Sequence, residues 1–491
     1  MSHRSLSLIT LLCLSLAVGG CTRARGGGAG EDDGPSGPLV KGLAIDGLAF
    51  YQGVRIDLLD GDEEVIDDAP VDVIAGRDGM LRVFVSAGSS WETRMVGAVV
   101  TLDIDGETET VSGERNISDS TNDESLSNSI NVDIPGDLMT RDTQLVSVKL
   151  IELEDIDAEG NSSGAEWTAD GGMLDLNARD TGPSLRIILV PIVYEGDGSG
   201  REPDMSEAQI QIYRDRLYAQ YPTREIDLVV ADEMVANWQI SPFGQWWSQT
   251  LEQLYFRRES DGAAFEEYYY GVFNPASSFP QFCQQGCVAG LSTLAQDASQ
   301  EWARVSIGLG FSGDGSADTM IHEIGHAHGR EHSPCGTNDV GYYPHAGADI
   351  GVQGYDIVEG SLKNRGSFTD FMGYCDPTWV SDYTYNWLFD RITAVNANAE
   401  IIPPPGFQSD WSSVRIDLDG TASRGTNHVL RTNPDGQKRS VEFLNASGEL
   451  LETVPGRLHG YSHLDGGRLL FPQPGDKVAA VRLTSGQVVP W

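Results

Sequence analysis

The stretch that decides the reading is His322-Glu323-Ile324-Gly325-His326-Ala327-His328-Gly329-Arg330-Glu331-His332. On an α-helix, residues four apart project from one face, so His322 and His326 can reach one metal ion. Glu323 lies about 100° further round, too far to be an easy ligand but near enough to meet a water held there. Gly329 can take a positive φ, which ends the helix and turns the chain back. His332 then returns as a third nitrogen donor. Three neutral imidazoles leave a fourth position open, the arrangement of a catalytic rather than a structural zinc. A helix surface carrying accidental histidines is a poor account of so many matched positions. His328 falls about 200° round from His326 and is read as a surface residue or a neighbour of the ligands, not as a ligand.

Working outward, the segment that carries this motif alternates strands and helices. Ile187-Ile188-Leu189-Val190 is a continuous apolar run, as expected of a strand buried on both faces. Ser206-Glu207-Ala208-Gln209 is a capping box, and a helix should follow to about Tyr221. Ile226–Val230, Tyr268–Phe273 and Val305–Phe311 read as further strands, and Trp247, Leu251 and Leu254 fall at helical spacing. This is an α/β unit over 183–400. Before it, 39–182 shows short alternating runs between Gly, Asp, Asn and Ser turns, the pattern of an Ig-like β-sandwich. After Pro403-Pro404-Pro405, residues 401–491 return to short β runs and are expected to form a small β-domain, a sandwich. The fold class is therefore multidomain α+β.

Composition narrows the function. The chain has 491 residues, with 33 basic against 73 acidic side chains and a net charge of −40. That excludes a phosphate-tracking nucleic-acid binder, which needs clustered Lys and Arg. Residues 1–21 read as an export signal: a polar start, an apolar run from Leu6 to Val18, then Val18-Gly19-Gly20-Cys21. That ending resembles the lipobox of bacterial lipoproteins, which implies acylation of Cys21 and anchoring at the cell envelope, with the outer membrane as destination. Residues 22–38 are a flexible tether. Four cysteines remain, Cys283, Cys287, Cys335 and Cys375, an even number in an oxidising compartment. Three pairings are possible. Cys283–Cys287 with Cys335–Cys375 is favoured, and a zinc half-site at Cys283 and Cys287 is the rival reading. Acid runs at Asp62-Glu63-Glu64 and from Glu152 to Glu159 raise structural Ca²⁺ as an option, but a solvated surface is the preferred reading.

Beyond His332 comes Asp370-Phe371-Met372-Gly373-Tyr374-Cys375. With His322, Glu323, His326, Gly329 and His332, this resembles the metzincin clan of zinc endopeptidases. The resemblance covers about 183–400 and implies a metzincin-like catalytic domain. By it, Met372 is the Met-turn residue, a packing floor beneath the histidines and not a ligand. Tyr374 matches a tyrosine that some metzincins place beside the zinc, where it ligates the metal or hydrogen-bonds the oxyanion. The run Arg304 to Phe311 sits where the clan has its antiparallel edge strand. Cys335–Cys375 would staple the two metal-site segments together. The segment around His345 resembles a subdomain hairpin, and His345 itself reads as a satisfied loop histidine rather than a cleft residue.

The expected reaction is peptide hydrolysis with Zn²⁺ as cofactor and Glu323 as general base. The expected substrate is an extracellular protein or glycoprotein. The other reading is a surface adhesin or glycan-binding protein whose metal site is vestigial. The intact Glu323 favours the enzyme, since a structural zinc has no use for it.

Overall fold

A computed structural model of the chain describes residues 23–25, 35–61, 63–154, 159–337, 341–400 and 408–491. The export signal at 1–21, Cys21, most of the tether, Asp62 and residues 155–158 of the acid runs lie outside the described residues. The architecture is mixed α+β and rich in sheet. Among the described residues no helix is long and apolar enough to cross a membrane. The chain divides into two compact units.

One unit comprises the described residues up to Leu48 with Leu81–Asp133 and Gln144–Leu174. Its antiparallel sheet is built on β1 (Arg94–Ile104) and β2 (Glu107–Ile117), joined by a tight turn at Asp105-Gly106. Both turn residues have positive φ, the conformation of a two-residue hairpin turn. β3 (Thr143–Glu152) and β4 (Glu166–Thr168) extend the sheet in the order β2-β1-β3-β4. Val96, Ala98, Val100 and Leu102 bury alternate positions of β1, the period of a sheet with one face in a core.

The other unit comprises Ala49–Met80, Ile134–Thr143 and Asp175–Trp491. Its centre is a sheet of β5 (Leu185–Tyr194), β6 (Ile226–Val230), β7 (Tyr268–Phe273), β8 (Gly290–Ser292) and β9 (Val305–Leu309), in the order β6-β5-β7-β9-β8. β5, β6, β7 and β9 run parallel, and β8 is antiparallel to β9. The apolar runs of β5, β7 and β9 are buried on both faces, as parallel strands covered by helices should be. The edge strand is thus β8. Within the run at 304–311 that was expected there, Val305–Leu309 forms β9, an interior strand paired on both sides, with all five residues buried. Helix α1 (Glu207–Gln220) starts at the capping box, with Ser206 accepting from the Gln209 N–H. Helix α2 (Trp247–Asp261) buries Trp247, Leu251 and Leu254 on one stripe. Helix α3 (Asp314–Ala327) packs on β9, and α4 (Asp382–Ala399) is capped by Ser381.

The C-terminal strands belong to the same unit. They are β10 (Ser409–Ile416), β11 (Ala422–Arg424), β12 (His428–Leu430), β13 (Gln437–Leu444), β14 (Leu450–His459), β15 (Gly467–Pro472), β16 (Ala480–Leu483) and β17 (Val488–Pro490). They form one antiparallel sheet, β11-β10-β15-β14-β13-β16-β17, with β12 also paired to β10. Its two ends, β11 and β17, approach each other. The expected sandwich is therefore a single curled sheet. Curling lets one sheet bury its own concave face, here Val414, Val441, Phe443, Leu469, Phe471 and Val481, without a second layer.

Candidate metal centre

Helix α3 carries the first half of the centre. Its C-terminus is closed by a glycine turn: Gly329, at φ 90°, donates to the His326 carbonyl, and Arg330 N–H donates to the Gly325 carbonyl. This pair of bonds is a Schellman closure, and it sends the chain back towards the helix. His332 is delivered to the face that bears His322 and His326. The Nε2 atoms of His322 and His326 lie 3.1 Å apart, and those of His326 and His332 lie 3.2 Å apart. Two nitrogens bound tetrahedrally at 2.0–2.1 Å to one zinc would stand about 3.3 Å apart. The donor set therefore fits such an ion.

The far sides of two of these rings are tied down. The Nδ1 of His322 lies 2.8 Å from the Phe371 carbonyl, and that of His326 lies 2.6 Å from the Arg330 carbonyl. A carbonyl only accepts, so both Nδ1 atoms carry the proton and both Nε2 lone pairs face inward. Burial pushes the His322 imidazole down to about 3 and holds His326 well below its ordinary value. Both rings are neutral at ordinary pH, the form that binds metal.

Glu323 points into the same space. It is 1% exposed, and burial pushes its carboxyl up to about 7 against the opposing pull of His322 and His332. Gly290 of β8 makes room for it: a Cβ there would stand 2.3 Å from Glu323 Oε1. Beside it opens a cleft of about 400 Å³ lined by Val288, Ala289, Gly290, Asp318, His322 and Tyr374.

The turn at 370–375 forms the floor. Met372 is fully buried under α3, where a Cβ on Gly325 would meet its sulfur at 2.5 Å. Asp370 fixes the turn, accepting from the Met372 N–H at 2.9 Å and from the Ser381 hydroxyl at 2.5 Å. The Tyr374 hydroxyl lies 2.9 Å from His332 Nε2. Cys335–Cys375 and Cys283–Cys287 are both formed, so Cys283 and Cys287 are not free to make a zinc half-site. The longer bridge joins the segment after His332 to the end of the turn.

Two further histidines are legible in the sequence, and a third is not. His328 is buried, not on the surface: its ring stacks on Tyr268 at 4.2 Å, and its Nδ1 donates to the Ile324 carbonyl. It faces away from the metal-binding space, as its angle on the helix required. His345 pairs with Asp382 at 2.6 Å as a satisfied loop histidine. The residue sequence reasoning missed is His463. It arrives from the loop between β14 and β15, and a nitrogen of its ring converges with those of His322, His326 and His332 within 4.8 Å. Nothing local marks it, since no periodic pattern or motif surrounds it.

A family model described as Peptidase M66 matches residues 287–368. The matched segment holds β8, β9, α3 and His332, and it supports a metallopeptidase family and a peptidase activity. It ends before Met372, Tyr374 and His463. No curated protein matches the chain.

Proposed function

We propose that the chain is a zinc-dependent endopeptidase of metzincin type. The observation that carries this reading is the convergence of three Nε2 atoms at tetrahedral spacing, with the Glu323 carboxylate beside them. His322, His326 and His332 would hold the ion. Bound there, zinc supplies polarisation of the scissile carbonyl and acidification of a water molecule. Glu323 takes the proton from that water and returns it to the leaving amine. Its place beside the ligand nitrogens, with Gly290 leaving it room, aims the carboxylate at a water held there. The Tyr374 hydroxyl donates to the oxygen on which negative charge develops. Met372 and Asp370 position without touching substrate. Edge strand β8 offers the main-chain groups on which an extended peptide can lie.

The proposed substrates are extracellular proteins or glycoproteins, since residues 1–21 read as an export signal and the two disulfides suit an oxidising compartment. Anchoring through Cys21 at the outer membrane belongs to the same proposal. The test is cleavage profiling of a mixed proteome with the purified protein, with and without a zinc chelator, alongside Glu323→Ala. Cleavage should require zinc, and Glu323→Ala should keep zinc yet lose cleavage. A protein that loads one zinc and cuts nothing, whether wild type or His463→Ala, would favour the surface-binding reading instead.

A further inference from the structure

We propose that the chain closes its own catalytic cleft: His463, on loop 460–466 of the curled sheet, fills the position that substrate and the attacking water need, and must withdraw before a peptide is cut. This inference rests on the zinc-peptidase reading above.

The loop is seated on the substrate edge. Ser462 N–H donates to the Ser292 carbonyl at 2.9 Å, and Ser292 N–H donates to the Ser462 hydroxyl at 2.9 Å. Thr293 and Tyr461 form an antiparallel bridge. β9 takes the inner side of β8, so these bonds use the outer side, where an extended peptide would have to add. The loop therefore lies where a substrate backbone would.

His463 then reaches the chemistry. Its ring stacks on His322 with centroids 5.2 Å apart, and lies 5.0 Å from His326 and 4.9 Å from His332. Its Nδ1 stands 2.6 Å from the Tyr374 hydroxyl and its Nε2 stands 2.7 Å from Glu323 Oε1. Ser462 also donates to Glu323 Oε2 at 3.3 Å. The two groups assigned to proton transfer and oxyanion binding are thus bridged by one imidazole of the same chain. His463 joins the three ligands in one cluster whose donor atoms lie within 4.8 Å of one another, so its ring occupies the open side of the trio, where a hydrolytic zinc keeps one position for water.

Withdrawal need not disturb the ligands. The ligand trio is held by α3 and its glycine turn without any help from His463. Glycines bound the loop at both ends, Gly460 with open space where a Cβ would be and Gly466 at φ 106°. Tyr461 is buried in the core of this unit and Leu464 packs against it, so the part that withdraws is Ser462 and His463 between these anchors, while β14 and β15 stay paired.

The experiment loads the full chain with cobalt(II) and compares wild type with His463→Ala and His463→Gln. Two variants guard against one that misfolds, and thermal melting checks both. The visible cobalt band should differ between wild type and each variant. Acetohydroxamate, a small bidentate oxygen ligand, should bind the cobalt variants at least tenfold more tightly, and hydrolysis of a short peptide should rise by about tenfold in kcat/KM. Unchanged cobalt spectra and hydroxamate affinity would overturn the proposal. So would loss of hydrolysis with unchanged hydroxamate affinity, which would make His463 a partner of Glu323 in catalysis. If wild type takes up no cobalt at all, the zinc-peptidase reading falls and this inference falls with it.

Discussion

Two glutamates of the same compact unit are buried to a similar degree and do opposite things. Glu252, on α2, faces the curled sheet. It pairs with the fully buried Arg468 at 2.5 Å and accepts from the Thr426 N–H and hydroxyl at 2.6 Å each. Burial alone would raise its carboxyl, but the Arg468 charge and the Thr426 hydrogen bonds outweigh it and hold the group below its ordinary value. Glu323, on α3, meets no Lys or Arg; its neighbours are imidazoles and a serine hydroxyl, and burial prevails. Burial with a full set of partners fixes architecture, here the seat of the curled sheet on α2. Burial without a permanent cation leaves a carboxyl free to exchange a proton.

The sharpest way to break this comparison is to neutralise each acid in turn. Glu252→Gln leaves Arg468 buried without its counter-ion, which costs about 3–5 kcal/mol. The apparent Tm should fall by something on the order of 10 °C. Glu323→Gln removes a carboxylate that the fold desolvates without compensation, so Tm should hold or rise. Its peptide hydrolysis should fall about 10²–10⁴-fold, the usual worth of a general base. Matched melting curves for the two variants, with hydrolysis assayed on both, decide the matter. Equal losses of Tm would erase the distinction drawn here.

The two disulfides extend the comparison to the loops around each region. Cys335–Cys375, with a sequence separation of 40, ties the segment after His332 to the Met372 turn. Cys283–Cys287, with a separation of 4, closes a local loop before β8. In a chain-entropy account the longer bridge is worth about 4 kcal/mol and the shorter about 2 kcal/mol. Replacing each cysteine pair by serine should therefore destabilise unequally in denaturant titrations. Only the Cys335/Cys375 variant should also lose metal more readily to a chelator. A larger loss from the Cys283/Cys287 variant would contradict the assignment of the longer bridge as the staple of the centre.

A smaller effect follows from acid. The folded-state pKa of Glu252 is lowered from 4.5, so its stabilising contribution is fully present above about pH 4.5. It is lost as the pH falls through the lower, folded-state value. The stability difference between wild type and Glu252→Gln should therefore be constant from about pH 5 to 7 and shrink below that. A difference that instead shrinks as pH rises would mean the sign of this pairing is wrong.

These contrasts also mark what could be read from the sequence. The α3 motif was legible because a helix sets its own angles: His322, His326 and the Gly329 turn are fixed by local geometry alone. The capping box at Ser206 and the buried run of β5 were legible for the same reason. The edge strand was misplaced because Gly290-Leu291-Ser292 is too short to show a period of two, while β9 looks like a better strand. The short β runs of 401–491 were visible, but the approach of β11 to β17 depends on residues far apart in the chain, so the curl was not. Glu252 with Arg468, and His463 with Glu323, are tertiary pairings that no local pattern announces. The site's ligands were therefore legible, and what holds and covers them was not.

The smallest predicted effect tests the floor of the centre. Met372 touches α3 at Gly325, the glycine between the two helix histidines, where a Cβ would stand 2.5 Å from its sulfur. If Met372 only packs, its thioether is replaceable by a hydrocarbon of similar volume. Met372→Leu should then cost less than about 1.5 kcal/mol, the usual limit for a volume-conserving swap in a core. Metal content measured after dialysis should be unchanged, because none of the ligand nitrogens is supplied by this turn. Met372 and Glu252 share no hydrogen-bond partner, so the loss should add to that of Glu252→Gln in the double variant. A Met372→Leu protein that folds but cannot retain zinc would make the sulfur part of the metal's own environment, and the division between groups that hold the centre and groups that merely support it would have to be redrawn.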